Sequence, residues 1–232
     1  MPFAVSVNES LTPIHGLDPG LNPSTVLQVQ PIPVIIAKNL IEKHHYLHTL
    51  PAGTQLSLGV FLAKTLMGAL TFGVGPFQAY RLVQGAGRGE CLTLTRFWLD
   101  DTLPGNSESR VIGSVLRSLK KYTSLKFLVS YADPSLGHLG TIYQSTNWLY
   151  TGLSGSLTLY DFGDGVLHHS RTIGSIYGTR SAGYLKAHGA KLTLITHSGK
   201  HRYLYFLDRS WREHLRVPVL PYPKKEMING NN

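Results

Sequence analysis

The fold is constrained most by residues 92–131, where an apolar strand pattern, an amphipathic helix pattern and a second apolar strand pattern follow one another. LTLTRFWLD predicts a strand over residues 92–100, and KFLVSYAD predicts a short strand that ends near Asp133. Between them, NSESRVIGSVLRSLKKY predicts a helix that has Ser107 as its N-cap and a continuous apolar stripe. The stripe consists of Val111, Ile112, Val115, Leu116 and Leu119. A strand–helix–strand unit within a mostly meandering sheet indicates a mixed α/β fold.

The remaining patterns place further elements around this unit. A helix is predicted from near Pro33 to around His44, because proline suits a first helical turn and apolar residues follow at helical spacing. Residues 56–73 predict two strands joined by a turn near 63–65, and residues 138–150 predict another helical segment. The C-terminal third predicts a hairpin turning at Gly163–Gly165, a helix around Ser175–His188 and a last hairpin over 191–207 turning at Ser198–Gly199.

Composition divides the chain into three parts. We expect residues 1–30, rich in Pro, Ser and Asn, to form an extended arm, residues 31–215 to form one α/β domain and residues 216–232 to form a flexible tail. The single cysteine, Cys91, excludes an internal disulfide. The chain start lacks a secretory pattern, and the apolar runs are too short to span a bilayer. We therefore expect a cytoplasmic protein without a membrane partner.

Positive charge is concentrated near the C-terminal end. The formal net charge is +9, yet residues 1–167 carry 11 Lys/Arg against 10 Asp/Glu, whereas residues 168–232 carry 11 against 3. A one-sided cationic surface with interleaved aromatic residues favours a polyanion, because neutralised phosphates release condensed counterions. The alternative explanation is an ordinary solvated surface. The candidate DNA-binding residues are Arg171, Arg180, Lys186, Lys191, Lys200, Arg202, Arg209 and Arg212.

Imidazole, phenol and carboxylate side chains stand at the predicted ends of two elements. His44, His45 and Tyr46 follow one another at the end of the first helix, Asp133 follows a strand, and Tyr143 lies ten residues later. Such groups build metal or acid/base sites from segments that are distant along the chain. Each also has an ordinary explanation, since a histidine can stabilise a helix end, an aspartate before proline can form a turn, and a tyrosine can pack in the core.

Arg96 interrupts the apolar strand of residues 92–100. A charged residue in the middle of a strand needs a partner when it is buried. We therefore expect Arg96 to face a cleft and to pair with Asp133 or with a phosphate group of a donor substrate, and we count it among the catalytic candidates.

The order of the elements resembles the GNAT acyltransferase fold. In that fold two parallel strands splay apart, acyl-CoA lies in the gap, and its pyrophosphate rests on the N-terminus of the helix between them. The superfamily pattern there is Gln or Arg, two residues, Gly, one residue, and Gly or Ala. Arg110 and Gly113 match this pattern, whereas Val115 departs from it. The resemblance implies that Ser109, Arg110, Gly113 and Ser114 bind an acetyl-CoA-type donor.

A more specific resemblance is to the Mom family of DNA-modification proteins, and it covers roughly residues 33–210. The matching stretches are EKHHYLH, LGVF, MGALTFG, LTRFWLDD, SLKKY, YADPSLGHLGTIYQSTNWLYTG and DGVLHHSRT. The resemblance implies a GNAT-like catalytic domain that converts adenine in double-stranded DNA to N6-(methylcarbamoyl)adenine and so protects DNA from restriction. It also implies an acetyl-CoA-type donor and an iron ion, Fe²⁺, bound by His45, Tyr46, Asp133 and Tyr143. Because His44 and His48 are close neighbours, the sequence leaves open which of the three histidines is the ligand.

Two other functions fit the same residues. One is a conventional GNAT N-acetyltransferase that acts on a small amine or a protein and needs no metal. The other is a non-catalytic DNA-binding relative, whose binding would depend steeply on salt. The sequence leaves open the oligomeric state and the choice between a phage and a bacterial chromosome as the source.

Overall fold

The computed structural model describes residues 27–76 and 78–224, so residues 1–26 of the predicted arm and 225–232 of the predicted tail lie outside the described residues. Its main sheet has seven strands in the order β1-β2-β3-β4-β5-β10-β6. These are β1 (Leu27–Pro31), β2 (Thr54–Leu62), β3 (Thr65–Gly73), β4 (Cys91–Leu99), β5 (Phe127–Ala132), β6 (Leu149–Leu153) and β10 (His201–Phe206). β4 and β5 run parallel, and every other neighbouring pair in this sheet is antiparallel. This is a mixed sheet, as the sequence predicts.

β4 and β5 separate part-way along their length. Their parallel ladder ends where Leu94 lies opposite Ser130, although both strands continue. Immediately afterwards β4 carries a bulge at Thr95, which lies opposite no residue in the β3–β4 register. A bulge bends a strand and increases its twist. Arg96 and the end of β5 at Tyr131 therefore diverge and leave a gap in the middle of the sheet.

Helices cover both faces of this sheet. The predicted helices α1 (Val34–His44) and α2 (Ser107–Tyr122) are confirmed, and the predicted stripe of α2 is buried. α2 packs on the face that carries Leu92 and Leu94. α1 contacts β2, β3 and β4, and its last residue, His44, stacks on Trp98 of β4. Trp98 points away from the face of Leu99, which packs with α2, because side chains alternate along a strand. α1 therefore packs on the opposite face.

The predicted N-cap of α2 is wrong. Asn106 precedes the helix with a left-handed φ of +67°, and no side chain of the described residues caps it. Ser107 is already helical, and its hydroxyl donates to the carbonyl of Pro104 at 2.6 Å. The amide of Ser107 donates to the carbonyl of Pro104 at 3.2 Å, and the amides that follow it in the first turn of α2 have no side-chain cap among the described residues.

A separate unit interrupts the main sheet between β6 and β10, which lie side by side. This unit, residues 154–199, is called the insert below. Its three strands, in the order β8-β7-β9, pair with one another and not with the main sheet. Its elements are β7 (Leu157–Asp161), β8 (Leu167–His169), α4 (Ser170–Tyr177), α5 (Ala182–Ala187) and β9 (Thr193–His197). Its core consists of Tyr160, Ile173, Leu185 and Leu192.

Two predictions about this region are wrong in their connections. The predicted hairpin over residues 191–207 does provide two strands, but β9 pairs with β7 whereas β10 lies between β5 and β6. The single helix predicted around Ser175–His188 is broken into α4 and α5, because Gly178 adopts a left-handed φ of +68°. The hairpin of β7 and β8 is confirmed, with Gly163 and Gly165 in its turn.

Three other sequence predictions are corrected. The helical segment predicted over 138–150 is only the short α3 (Thr141–Ser145), because Asn147 turns the chain with a φ of +61° and β6 follows. The predicted arm is not free over residues 27–30, since β1 pairs with β2. The predicted tail is held as far as it is described, because Leu220 donates to the carbonyl of Tyr150 at 2.9 Å and Tyr222 donates to that of Trp148 at 2.8 Å.

Candidate active-site cleft

A cleft of about 840 Å³ opens where β4 and β5 diverge. Thr95 and Arg96 of β4 line one wall of the cleft, and Tyr131 and Asp133 at the end of β5 line the adjacent wall. The insert supplies a further wall through side chains on one face of its sheet. These are Leu157, Leu159, His169 and His197. The cleft therefore lies between two separately built parts of the chain, which suits a large substrate.

His45 and Tyr46 lie at this cleft because α1 ends beside it. His45 follows the last helical residue, is only 6% exposed and stacks on Tyr46 at 4.3 Å. Its Nδ1 accepts the amide hydrogen of Leu47 at 3.1 Å. Burial, assisted by the positive charge of Arg96, lowers the pKa of His45 from 6.5 to about 4. The imidazole is therefore neutral at pH 7.

The two neighbouring histidines are placed elsewhere. His44 stacks on Trp98 of β4 at 4.5 Å. His48 donates from Nδ1 to the carbonyl of Glu42 at 2.9 Å. His45 is thus the histidine of this group that accompanies Tyr46, as the Mom resemblance implies.

Asp133 is held by a network of its own. Its Oδ2 pairs with the ammonium of Lys200 at 2.8 Å, and its Oδ1 accepts from the amide and the hydroxyl of Ser135 at 3.1 and 2.6 Å. Burial raises the pKa of the Asp133 carboxyl, but the hydrogen bonds from Lys200 and Ser135 lower it overall. The carboxylate is therefore ionised and oriented at the cleft.

Arg96 faces the cleft as predicted, but it does not pair with Asp133. Its Nε donates to the carbonyl of Thr49 at 2.8 Å and its Nη1 to the carbonyl of Thr95 at 2.7 Å. Asp133 is instead paired with Lys200. Arg96 thus fastens the segment after α1 to β4, and this segment carries Tyr46.

Tyr143 approaches from the other face of the sheet. It is 8% exposed and packs against Trp148 and Tyr203, with ring centroids 5.2 and 5.3 Å away. Burial raises the pKa of Tyr143 to about 12, and its interaction with Tyr46 contributes in the same direction. Its phenol is therefore a neutral group inside the core, close to the cleft but not part of its lining.

The four implied iron ligands are His45, Tyr46, Asp133 and Tyr143. The structure places them in one region, but it does not arrange them as ligands of one ion. His45 Nδ1 is engaged by the amide of Leu47, Asp133 is paired with Lys200, and Tyr143 is enclosed in the core. This arrangement does not fit an iron ion, so no reaction step is assigned to one.

A second cavity, of about 460 Å³, lies beside α2 on the other face of the sheet. It is lined by three of the four predicted donor-binding residues, which are Ser109, Arg110 and Gly113. The fourth, Ser114, does not line it, because it lies on the buried side of α2. Arg117 and Lys120 add positive charge that the sequence did not single out. Uncapped amides, a helix N-terminus and three cations fit the phosphates of a CoA-type donor.

Comparison with known proteins identifies the family. The family model described as "Mom protein family" matches residues 26–224. A relative named "Methylcarbamoylase mom", from Escherichia phage Mu, is 33% identical over 209 residues, which cover 87% of this chain and 85% of the relative.

The chain belongs to the Mom protein family.

Two solved structures illustrate what this Mom-family chain is similar to in fold. An acetyltransferase from Salmonella typhimurium that modifies the N-terminal serine of ribosomal protein L7/L12 is 9% identical, with a TM-score of 0.44 over 80% of this chain and 97% of that one. FeeM, an N-acyl amino acid synthase from uncultured soil microbes, is 13% identical, with a TM-score of 0.45 over 82% of this chain and 95% of that one.

The predicted DNA-binding residues of this Mom-family chain lie in three places. Lys200 and Arg202 line the cleft, and Arg202 donates from Nε to the hydroxyl of Thr151 at 2.9 Å. Arg209 and Arg212 line a different cavity, together with Asn147. The others belong to the insert, and they are Arg171, Arg180, Lys186 and Lys191. The side chain of Arg171 lies outside the described residues.

Two residues of the site were not predicted in their roles. His138 contacts Tyr46 edge-on at 5.2 Å, and its position in the GHLG motif next to the predicted site is the only signal for it in the sequence. Lys200 was predicted to bind DNA, yet it also fixes Asp133. Lys200 is far from Asp133 along the chain, so no local pattern could have paired them.

Proposed function

We propose that this protein modifies the exocyclic amine of adenine in double-stranded DNA and that the product is N6-(methylcarbamoyl)adenine. One observation carries the proposal. Tyr46, Arg96 and Asp133, three catalytic candidates that are scattered along the chain, line one cleft at the gap between β4 and β5. Membership of a family that includes a methylcarbamoylase supports the same reaction.

The acceptor base would enter through the cleft. The N6 amine of adenine is occupied by base pairing in a duplex, so the target base must be flipped out of the stack. We assign to Tyr46 and Asp133, which line the cleft, the contacts with the amine. We assign to His45, Tyr143 and Arg96 the positioning of these groups, because the first two are nearly enclosed and Arg96 fastens the segment of Tyr46.

The donor would bind on the opposite face. Ser109 and Arg110, with the amides at the start of α2, would hold the phosphates of a CoA-type molecule, and the gap between β4 and β5 would lead its acyl end to the cleft. An acetyl group carries a methyl on its carbonyl, whereas a methylcarbamoyl group carries a methylamino group. Simple acetyl transfer therefore does not yield this product, and the nitrogen must come from the donor or from a further reactant.

An iron ion is not part of this proposal, because the side chains implied as ligands are engaged elsewhere. The iron implied by the resemblance stays a prediction with its own test. Metal analysis of anaerobically purified wild-type protein, beside an Asp133→Ala variant, measures it directly. Iron in stoichiometric amount that is lost with Asp133 would establish the metal site, whereas equal iron in both proteins would exclude Asp133 as a ligand.

The decisive experiment is expression in a bacterium, followed by mass spectrometry of nucleosides from its DNA. We expect a deoxyadenosine that is heavier by a methylcarbamoyl group in place of one hydrogen, and we expect the extracted DNA to resist restriction enzymes. Asp133→Asn keeps the size of the side chain and should abolish the adduct. An acetyl adduct on a protein or small amine would favour the conventional acetyltransferase, and DNA binding with unchanged nucleosides would favour the non-catalytic alternative.

A further inference from the structure

The insert differs from the rest of the chain in charge. Residues 165–207, which hold most of the insert and all of β10, contain six Lys/Arg and no Asp or Glu. The insert itself has only two acidic residues, Asp161 and Asp164, and both precede its helices. Asp164 is also paired with His168 at 2.7 Å. The helical part of the insert is therefore cationic without compensating carboxylates.

Its surface also carries large exposed apolar and aromatic side chains. Ile176 is 63% exposed, Tyr177 51% and Tyr184 53%. Lys186 and Lys191 are exposed in the same part of the chain. Aromatic rings beside cations are typical of surfaces that bind nucleic acids, since the rings contact bases or sugars while the cations contact phosphates.

The insert is placed at the substrate cleft. One face of its sheet forms a wall of the cleft through Leu159, His169 and His197. Its two ends are fastened to each other, because Ser154 donates its amide to the carbonyl of Lys200 at 2.8 Å and the amide of Lys200 donates to the Ser154 hydroxyl at 2.9 Å. The insert therefore borders the path by which a duplex delivers a base to the cleft. Its helices α4 and α5 pack on the other face of its sheet, where Tyr160 packs in one cluster with Ile173 and Leu185.

We propose that the insert is a DNA clamp, whose cations bind the phosphate backbone beside the flipped base and hold the duplex over the cleft. This inference rests on the proposed function, because it takes the duplex to be the substrate. It assigns duplex binding to the insert and to the cleft residues Lys200 and Arg202. It leaves Arg209 and Arg212, which line another cavity, outside the DNA-binding surface.

The test compares two double variants of the full chain. Lys186→Ala with Lys191→Ala removes two cations from the insert. Lys64→Ala with Lys121→Ala is the matched control, because both lysines are exposed and line neither the cleft nor the cavity beside α2. Binding of a labelled DNA duplex is measured by fluorescence anisotropy over a series of salt concentrations. Thermal unfolding of each protein checks that the fold is kept.

We expect the insert variant to lower the slope of log K against log salt by about 2, because each phosphate contact contributes about 0.9. The same contacts correspond to roughly 30-fold weaker binding near physiological salt. Modification at saturating DNA should persist with a raised KM for DNA, and the control should match the wild type. Equal slopes for both variants would overturn the clamp, and an insert that docks an acidic protein instead would give that result.

The two proposals fail in different ways. A wild-type protein that produces no adenine adduct contradicts the proposed function, while the salt slopes still measure duplex binding by the insert. A wild-type protein that produces the adduct, with slopes unaffected by the insert variant, contradicts the clamp alone.

Discussion

Gly199→Ala should disconnect the insert from the main sheet. A Cβ at position 199 would lie 1.8 Å from the backbone oxygen of Ser154, whereas ordinary contact begins at 3.4 Å. The two segments must therefore move apart, which breaks the hydrogen bonds between Ser154 and Lys200 at 2.8 and 2.9 Å. Each of these two bonds is worth about 1 kcal/mol and the overpacking about 1 to 3 kcal/mol, so we expect the free energy of unfolding to fall by about 3 to 5 kcal/mol.

Gly155→Ala is the matched control, since a Cβ there would meet no heavy atom within 4 Å. Urea denaturation followed by circular dichroism measures the free energies of unfolding of both variants and of the wild type. Hydrogen exchange then locates the change, and we expect faster exchange in β7 and β9 of the Gly199 variant. Free energies within about 0.5 kcal/mol of each other for the two variants, the usual range for harmless surface changes, would refute the reasoning.

Three other changes test the site and the core. Tyr203→Phe removes the hydroxyl that donates to the carbonyl of Leu139, so urea denaturation should register a loss of about 1 to 3 kcal/mol, and an unchanged value would mean that water replaces the bond. The pKa of Asp133 lies below its ordinary value of 3.8, so the stability that Lys200 adds should be present above pH 3.8 and vanish as the pH falls through the folded pKa. The free energy of unfolding of the wild type minus that of Lys200→Met, measured against pH, tests this. A difference that becomes larger as the pH falls would contradict it. NMR should find the imidazole of His45 neutral down to pH 5, because burial holds its pKa at about 4, and titration near 6.5 would disprove its enclosure.

The local part of the fold could be predicted from the sequence. Apolar alternation and the stripe of α2 are properties of neighbouring residues, so β4, α2 and β5 were predicted almost to their ends. The pairing of β9 and β10 was not predictable in this way. Two strands joined by Ser198–Gly199 look like a hairpin, but β10 is buried between β5 and β6, and only distant partners decide that position.

The candidate site was predicted by resemblance and not by spacing. Nothing local to His45 or Asp133 indicates that they belong to one region, because this depends on the packing of α1 against β4 and on the position of β5 beside β4 in the sheet. The resemblance could name the side chains but not their partners. The link between Asp133 and Lys200, and that between Arg96 and Thr49, appear only when the chain is folded.

The adjacency of β6 and β10 has an evolutionary consequence. The chain leaves the main sheet at Ser154 and re-enters it at Lys200, so the two ends of the intervening segment are already neighbours. Changing the length or identity of this segment therefore has a small effect on the free energy of folding, because the entropic cost of closing a loop rises only slowly with its length. Relatives with the same main sheet could thus acquire different target preferences by exchanging the insert, while β4 and β5 keep their register.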